Sequence, residues 1–349
     1  MTRYVIVGAG AVGTTLAVEL ADSGQDVLLI ARGNALRHFR QHPVSYHTPT
    51  GIRNVRLPVA AATDDLALHT GDVLVLTAKT QDVGAAAEVM AWRDVRNSDG
   101  AVIGLAADHI PVVTVQNGLA AEGMVARWFA TVIGAVLLVS ARYERLGEIH
   151  VGASPTVGAM IAGLATGDSA RGGRAVATLV DDLGKANFHA KAVPDVRAYK
   201  AAKILHSVKN GLEVLGGDPS AKAAVGAALV TEARLVLAAA GITFHEPASL
   251  GAASGRQRAA RDTVPPGRQS TWQSFARGAA SNEIDYLNGE IALLARLHGV
   301  AAPLNTALQQ LLGRATREGG GLDLPGLKTL TNFLPVRDSA PRAGELPRP

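Results

Sequence analysis

Short apolar runs alternate with helical stretches through the first half of the chain, a pattern typical of βαβ units with a parallel sheet. The predicted strands are Arg3–Val7, Gln25–Ile30, Val73–Leu76, Val112–Val115 and Val132–Ser140. Residues 147–163 are rich in Gly, Ile and Val and predict further strands that close this domain. Residues 97–109 hold Gly, Asp and Ser and predict a surface loop.

The pattern changes near Pro194, after which helical periodicity replaces the strand signals. The predicted helices are Asp195–Leu215, Pro219–Ala240, Thr271–His298 and Asn305–Arg317. The fold class is therefore α/β. We expect a Rossmann-type doubly wound sheet in residues 1–193, an all-helical domain in residues 194–335, and a ligand cleft between them. A polar loop is expected over residues 256–269, and the proline-rich tail 336–349 is expected to be disordered.

A glycine-rich turn joins the first predicted strand to the first predicted helix. The segment Gly8-Ala9-Gly10-Ala11-Val12-Gly13 has the spacing G-x-G-x-x-G. In such a turn the first glycine permits the bend, the second lets a pyrophosphate approach the backbone, and the third lets the helix pack on the strand. The helix N-terminus then offers unpaired N–H groups to the phosphates. This context predicts dinucleotide binding, and a purely structural turn is the alternative.

The end of the second predicted strand indicates which dinucleotide is bound. An NAD-binding domain usually carries Asp or Glu there, about 20 residues past the glycines, to bond the ribose 2′-hydroxyl. This chain has Ala31-Arg32-Gly33 instead. Because an arginine pairs with a 2′-phosphate that a carboxylate would repel, Arg32 predicts NADP(H) rather than NAD(H). Arg37 and Arg40 either help or lie on a solvated helix face.

Composition narrows the class of protein further. The chain has 349 residues, 48% hydrophobic and 18% charged, which suits two domains with a large core. It has no cysteine, no apolar run long enough to span a bilayer and no room for a signal peptide before the first strand, which fits a cytoplasmic enzyme. The net charge of +4 is scattered, so nucleic-acid binding is not expected, whereas an anionic cofactor and substrate are. The ten histidines show no metal-ligand spacing, so no metal site is predicted.

Two loops that follow predicted strands carry polar side chains. Lys79 comes shortly after the strand Val73–Leu76, and Gln116-Asn117-Gly118 comes directly after Val112–Val115. Ligands in open α/β sheets bind outside the carboxyl ends of the strands, so both loops face the expected cofactor site. The alternative is that these residues only form turns.

Two predicted helices also carry polar groups. Lys203, Ser207 and Asn210 recur at i, i+4 and i+7, so they share one helix face, which is either solvated surface or the lining of a cleft. Glu283 and Asp285 stand at the start of a helix that is predicted to begin near residue 282. Carboxylates at that position also favour the helix dipole without any further role.

These motifs together resemble the ketopantoate reductase (2-dehydropantoate 2-reductase) family. The resemblance covers residues 1 to about 335 in the same order and spacing. The motifs that carry it are Gly8-x-Gly10-x-x-Gly13, Arg32, Lys79, Gln116-Asn117-Gly118, Lys203…Asn210-Gly-Leu-Glu and Glu283-Ile-Asp-Tyr-Leu-Asn-Gly. It implies a Rossmann domain followed by a helical domain like those of 6-phosphogluconate dehydrogenases. It also implies NADPH-dependent reduction of ketopantoate to pantoate, a step of pantothenate biosynthesis.

The resemblance also implies roles for individual residues. Lys203 corresponds to the general acid at the substrate carbonyl oxygen, and Glu283 to the glutamate that orients the substrate hydroxyl. Asn117 corresponds to an asparagine near the nicotinamide and the substrate, and Lys79 to a cleft lysine that helps to hold both. Substrate contacts are further implied for Ser207, Asn210, Ser270 and Thr271.

Two positions depart from the family pattern, both on the substrate side. Ser207 stands where the best-known members have Asn, and Ser274 stands where they have Asp. The reaction class is unaffected, but the identity of the substrate is left open. The alternatives are a reductase of another 2-oxo acid or ketone, and a non-catalytic NADP(H)-binding regulator. The expected partners are a small 2-oxo acid and, through apolar surface of the helical domain, a second copy of the chain.

Overall fold

The computed structural model describes residues 2–64, 66–253, 269–279 and 281–334. Within them the strands are β1 Arg3–Val7, β2 Asp26–Ile30, β3 Val44–Thr48, β4 Gly51–Val55, β5 Val59–Ala60, β6 Leu68–His69, β7 Asp72–Leu76, β8 Asp94–Arg96, β9 Val102–Leu105, β10 Val112–Thr114, β11 Val132–Val139, β12 Ala141–Arg145, β13 Glu148–Val151, β14 Gly158–Thr166 and β15 Phe188–Ala192. The helices are α1 Ala11–Asp22, α2 Gly33–Gln41, α3 Thr80–Ala91, α4 Ala106–His109, α5 Ala120–Val125, α6 Ser169–Lys185, α7 Val196–Ser207, α8 Pro219–Ala239, α9 Ala248–Ala253, α10 Ser270–Ala276, α11 Asn288–Leu297, α12 Pro303–Arg317 and α13 Leu327–Thr331. Short 3₁₀ helices cover Asn210–Val214 and Ile284–Tyr286. The expected tail and, apart from Gln269, the expected polar loop lie outside the described residues.

An eight-stranded sheet forms the centre of the N-terminal half, with the strand order β15-β14-β11-β10-β7-β1-β2-β5. Strands β5, β2, β1, β7, β10 and β11 run parallel, while β14 pairs with β11 in the antiparallel sense. The chain winds outward from β1 in both directions, first to β2 and later to β7. This is the doubly wound topology that the alternating pattern predicts, and it leaves a crevice at the carboxyl ends of β1 and β7.

Both faces of this sheet are covered by apolar side chains. Leu16 and Leu20 of α1 pack on one face together with Leu179 and Leu183 of α6. Helices α3 and α5 cover the opposite face. Because it is enclosed on both faces, β7 is buried at all five positions, which explains its continuous apolar sequence.

Two smaller sheets flank the main one. The four-stranded sheet has the order β12-β13-β3-β4, and the three-stranded sheet has the order β6-β8-β9. The second of these corrects the prediction of a surface loop over residues 97–109. The turn around Gly100, at φ +81°, folds Val102–Leu105 back onto β8 as an antiparallel strand, and Ala106–His109 follows as one helical turn. The Gly, Asp and Ser that suggested a loop form only the hairpin turn.

The C-terminal half is helical, around a core contributed mainly by α7, α8, α11 and α12. Two of its predicted helices are wrong in extent. The helix predicted over Asp195–Leu215 ends at Ser207 and continues as a 3₁₀ helix, in which Gly211 faces Leu312 so closely that a Cβ would lie 2.6 Å from its Cδ1. The predicted helix Thr271–His298 is also interrupted: α10 ends at Ala276, and α11 begins only at Asn288.

The predicted domain boundary at residues 193/194 stays a prediction. The last strand ends at Ala192 and the helix that follows begins at Val196, with the side chain of Asp195 capping that helix at the Ala198 N–H, 3.1 Å away. The core of the N-terminal half and that of the C-terminal half form separate clusters of buried apolar side chains.

Candidate active site

The glycine turn after β1 has the shape that a bound pyrophosphate requires. A Cβ on Gly8, at φ +125°, would stand 2.8 Å from Thr77 Oγ1 and 2.9 Å from the Ala78 nitrogen, and a Cβ on Gly13 would clash with the Gly8 carbonyl oxygen. Gly10, by contrast, is exposed and has no atom within 4 Å of a would-be Cβ. The first and third glycines therefore close the turn, whereas the second leaves the N-terminus of α1 open to a ligand, as the motif demands.

Arg32 lies at the N-terminal end of α2, directly after β2. Its guanidinium is 3.1 Å from the Asp82 carboxylate of α3 and its side chain remains 87% exposed. Arg40 is paired with Asp64, and Arg37 contacts Asn34 on its own helix. Of these three arginines, Arg32 is the one that directly follows β2, at the position where a ribose 2′-substituent is read.

The loop after β7 is tied to the helical half by a buried carboxylate. Lys79 Nζ lies 2.9 Å from one Glu283 oxygen, and the other oxygen accepts hydrogen bonds from the Thr80 hydroxyl at 2.9 Å and the Thr80 N–H at 3.2 Å. Although burial alone raises the pKa of Glu283, the charge of Lys79 and these hydrogen bonds bring that pKa below its ordinary value. Glu283 is thus an ionised carboxylate that joins residues about 200 positions apart.

Glu283 and Asp285 precede α11 rather than starting it. The helix begins at Asn288, and the preceding residues form the short 3₁₀ helix. Asp285 accepts a hydrogen bond from Gln309 at 2.8 Å. The interpretation of both residues as ordinary helix-start carboxylates is therefore wrong for Glu283, whose two oxygens both bond residues that follow β7.

Lys203 projects from α7 toward the end of β11, where its Nζ donates to the Leu137 carbonyl oxygen. Burial, followed by the nearby charge of Lys200, lowers the pKa of Lys203 to about 8, and the opposite charge of Glu283 partly offsets this. The carboxyl end of β11 lies at the same sheet edge as those of β7 and β10. Lys203 therefore holds a proton that is unusually easy for a lysine to give up, close to the Lys79–Glu283 pair.

Of the four residues with further implied substrate contacts, Ser207, Asn210 and Thr271 are buried. Ser207 and Asn210 are 4% and 6% exposed, so the surface interpretation of that polar helix face is wrong. Because α7 ends at Ser207, Asn210 lies in the following 3₁₀ helix, against which α10 packs. Thr271 on α10 is buried as well, whereas Ser270 is less enclosed and its carbonyl accepts a hydrogen bond from the Ser274 hydroxyl at 3.1 Å.

Asn117 follows β10, and its neighbour Gly118 fits the loop against the helical half. Gly118 has φ +85°, and a Cβ there would clash with the Tyr286 carbonyl oxygen. The Gln116 side chain donates to the carbonyl oxygens of Leu76 and Ala78 at 2.7 and 2.9 Å, so the loops after β10 and β7 are bonded to each other. This loop therefore forms a turn and also lies at the carboxyl edge of the sheet.

Two residues next to the predicted site residues, Thr80 and Lys200, were not predicted from the sequence. Thr80 makes two of the three bonds to Glu283 described above. Lys200 is only 3% exposed; its Nζ is paired with Glu122 and lies 3.1 Å from the Gln116 carbonyl oxygen. The i, i+3 spacing of Lys200 and Lys203 put both on one helix face and was the available signal.

The prediction of no metal site rested on spacing along the chain, which does not test for ligands brought together by folding. His47, Glu148 and His150 lie within 4.8 Å of one another, on neighbouring strands of the four-stranded sheet. On the adjacent strand β12, Arg142 and Arg145 stand opposite His150 and Glu148. These positive charges oppose binding of a cation there. In the part of the chain that the structure describes, no helix is long and apolar enough to cross a membrane.

Two family models of one family match this chain. The model described as ketopantoate reductase PanE/ApbA matches residues 4–159, and the model of its C-terminal part matches residues 198–316. The 2-dehydropantoate 2-reductase of Halobacterium salinarum is 27% identical over 91% of this chain and 100% of the relative, and that of Archaeoglobus fulgidus is 25% identical over 89% and 96%.

Solved structures share the fold. A PanE/ApbA family ketopantoate reductase from Ralstonia eutropha JMP134 has a TM-score of 0.70 at 22% identity, covering 91% of this chain and 99% of the other. D-mandelate dehydrogenase with NADH and anilino(oxo)acetate has a TM-score of 0.75 at 18% identity, with the same coverage. The Rossmann sheet, its open glycine turn and the facing helical half define a two-domain nicotinamide-dependent oxidoreductase. Within that class, this chain belongs to the ketopantoate reductase family.

Proposed function

We propose that this protein reduces a 2-oxo acid with NADPH, and that the substrate is 2-dehydropantoate. The observation that carries the proposal is that a lysine of lowered pKa, Lys203, lies near an ionised carboxylate, Glu283, at the open edge of the sheet. Lys203 and Glu283 come from different parts of the helical half, and Lys79 of the sheet bonds one of them. Binding a dinucleotide alone would require neither Lys203 nor Glu283.

The chemistry requires a proton donor at the carbonyl oxygen. NADPH, when bound, supplies a hydride to the carbonyl carbon, and negative charge then grows on the oxygen. The ammonium of Lys203 stabilises that charge and delivers its proton, which a pKa of about 8 favours near neutral pH. Glu283 remains ionised and is able to accept a hydrogen bond from a substrate hydroxyl, while Lys79 adds positive charge beside the substrate carboxylate.

The residues present fit NADPH. The open backbone at Gly10 admits the pyrophosphate, and the exposed Arg32 is available to a 2′-phosphate in place of Asp82. No carboxylate ends β2, so this strand supplies no acceptor for a free ribose 2′-hydroxyl. The proposed cofactor residues are the turn Gly8–Gly13, Arg32, Lys79 and Asn117.

The alternative substrates are other 2-oxo acids, because Ser207 and Ser274 replace larger polar groups of the family pattern. A panel of ketopantoate, small aliphatic 2-oxo acids and phenylglyoxylate, each with NADPH and with NADH, separates these cases by the loss of reduced-cofactor absorbance. We expect ketopantoate with NADPH to have the highest kcat/KM. Rapid turnover of another acid would reassign the substrate, and tight NADPH binding without any turnover would favour a regulator.

A further inference from the structure

Lys200 is buried at the point where the helical half meets the sheet. It is 3% exposed, and a lysine is almost never enclosed to that degree unless its charge is paired. Its Nζ pairs with the Glu122 carboxylate of α5 and donates to the Gln116 carbonyl oxygen, 3.1 Å away. None of the proposed catalytic or binding roles uses this side chain.

We propose that Lys200 is a positioning residue of the reaction: its ammonium fixes the helix that carries Lys203 against the loop that carries Asn117, and it holds a second positive charge next to the acid. This inference rests on the proposed function for its effect on turnover. Its electrostatic part concerns Lys203 alone and is testable without a substrate.

The bonds around Lys200 join the separate loops of the site into one frame. Glu122 also accepts a hydrogen bond from the Thr114 hydroxyl at the end of β10, 2.5 Å away. Gln116, whose carbonyl oxygen Lys200 holds, is bonded through its side chain to the end of β7. One ammonium thus connects α7 to the loops that follow β10 and β7. An error of about 1 Å in such a site costs on the order of 100-fold in rate.

Among the described residues, four charged groups lie around Lys200 or around the Glu290 carboxylate that it affects. They are Glu122 of α5, Arg197 and Lys203 of α7, and Glu290 of α11. Burial raises the pKa of Glu290, which the charges of Arg197 and Lys200 partly offset. Glu122 bonds Lys200 directly, but the positive charge of Lys200 still makes the protonated form of Lys203 less favourable. A buried ion pair distant from Lys203 would leave the titration of Lys203 unchanged.

The test compares Lys200→Met with Lys200→Arg, which keeps the charge and the donors. Arg3→Met is the matched control, because Arg3 pairs with the buried Asp72 where β1 and β7 begin, at the end of the sheet opposite the site. Lys203 is titrated through the pH dependence of its acylation by acetic anhydride, followed by peptide mass spectrometry. Kinetics with NADPH and the best 2-oxo acid are measured alongside.

We expect the midpoint for Lys203 to lie near pH 8 in the wild type and to rise by about one unit in Lys200→Met. Lys200→Arg and Arg3→Met should leave it in place. In Lys200→Met we expect kcat to fall roughly 10- to 100-fold, with a smaller change in the Kd for NADPH. The same midpoint in folded Lys200→Met and wild type would overturn the electrostatic role, and an unchanged kcat would overturn the positioning role.

The two proposals fail in different ways. If the wild type turns over no 2-oxo acid while the midpoint moves in Lys200→Met, the proposed function fails and the electrostatic role of Lys200 stands. If turnover is fast but neither kcat nor the midpoint responds to Lys200→Met, the function stands and Lys200 is only structural. Should Lys200→Met not fold, the double variant Lys200→Met/Glu122→Gln removes the unpaired, partly buried carboxylate and is measured instead.

Discussion

The cofactor edge and the substrate edge of this cleft are built in opposite ways. The proposed cofactor edge centres on one turn of six residues, Gly8–Gly13, with Arg32 beyond it, and the turn is suited to a ligand by missing side chains and an exposed backbone. The substrate edge is made of charged side chains that come from distant positions, with Lys79 and Glu283 in direct contact. The glycine turn can be recognised from one short stretch of sequence, whereas the group of charged side chains comes together only when the chain folds.

The variant with the largest expected effect changes the substrate edge and leaves the cofactor edge intact. Lys203→Ala removes the proposed acid without touching the glycine turn, so kcat should fall by about 10²- to 10⁴-fold while the Kd for NADPH stays within a few-fold. Lys209→Ala is the control, since Lys209 is exposed just beyond the same helix. Stopped-flow turnover and fluorescence titration of NADPH give both values, and full activity in Lys203→Ala would remove that residue as the acid.

A second variant acts on the cofactor edge alone. Arg32→Asp places a carboxylate where a 2′-phosphate would bind, and it loses the pair with Asp82. We expect the preference for NADPH over NADH in kcat/KM to drop roughly 10- to 100-fold, with little change in kcat. Arg37→Asp is the matched control on the same helix. An unaltered cofactor preference in Arg32→Asp would mean that another group reads the 2′-phosphate.

The variant with the smallest expected effect removes the ion pair between Lys79 and Glu283. In Glu283→Gln the Lys79 charge loses its partner, and because the Lys79 side chain is 37% exposed we expect a loss of only about 1–2 kcal/mol in the free energy of unfolding at pH 7. The pKa of Glu283 is lower in the folded chain, so its stabilisation is complete above its unfolded pKa and is lost as the pH falls through the folded value.

Urea unfolding of wild type and Glu283→Gln at a series of pH values measures this difference. The gap between the two proteins should be full near neutral pH and should close as the solution is acidified below the ordinary glutamate range. Asp285→Asn is the control, because Asp285 bonds Gln309 within the helical half. A gap that persists at low pH would show that the carboxylate is not ionised in the folded chain.

The contrast between the edges also explains what the sequence could predict. The parallel strands around the proposed cofactor site carry continuous apolar runs, and the glycine turn has a fixed spacing. Both could therefore be predicted from the sequence. The sequence did not predict that α7 ends before Asn210–Val214, because these residues keep helical spacing. The helix is replaced there by a 3₁₀ helix, in which Gly211 packs against α12. The family resemblance named Glu283 and Lys79, but their direct bond and the paired Lys200 depend on contacts between distant segments.

The close approach at Gly118 has a mechanical consequence. The loop after β10 meets the carbonyl of Tyr286 with no room for even a methyl group, so the two halves of the protein touch there backbone to backbone. A contact of this kind resists compression and offers no flexible side chain to absorb a sliding displacement. A larger residue at position 118 would act as a wedge between the loop after β10 and the segment around Tyr286, and so between the two halves of the protein.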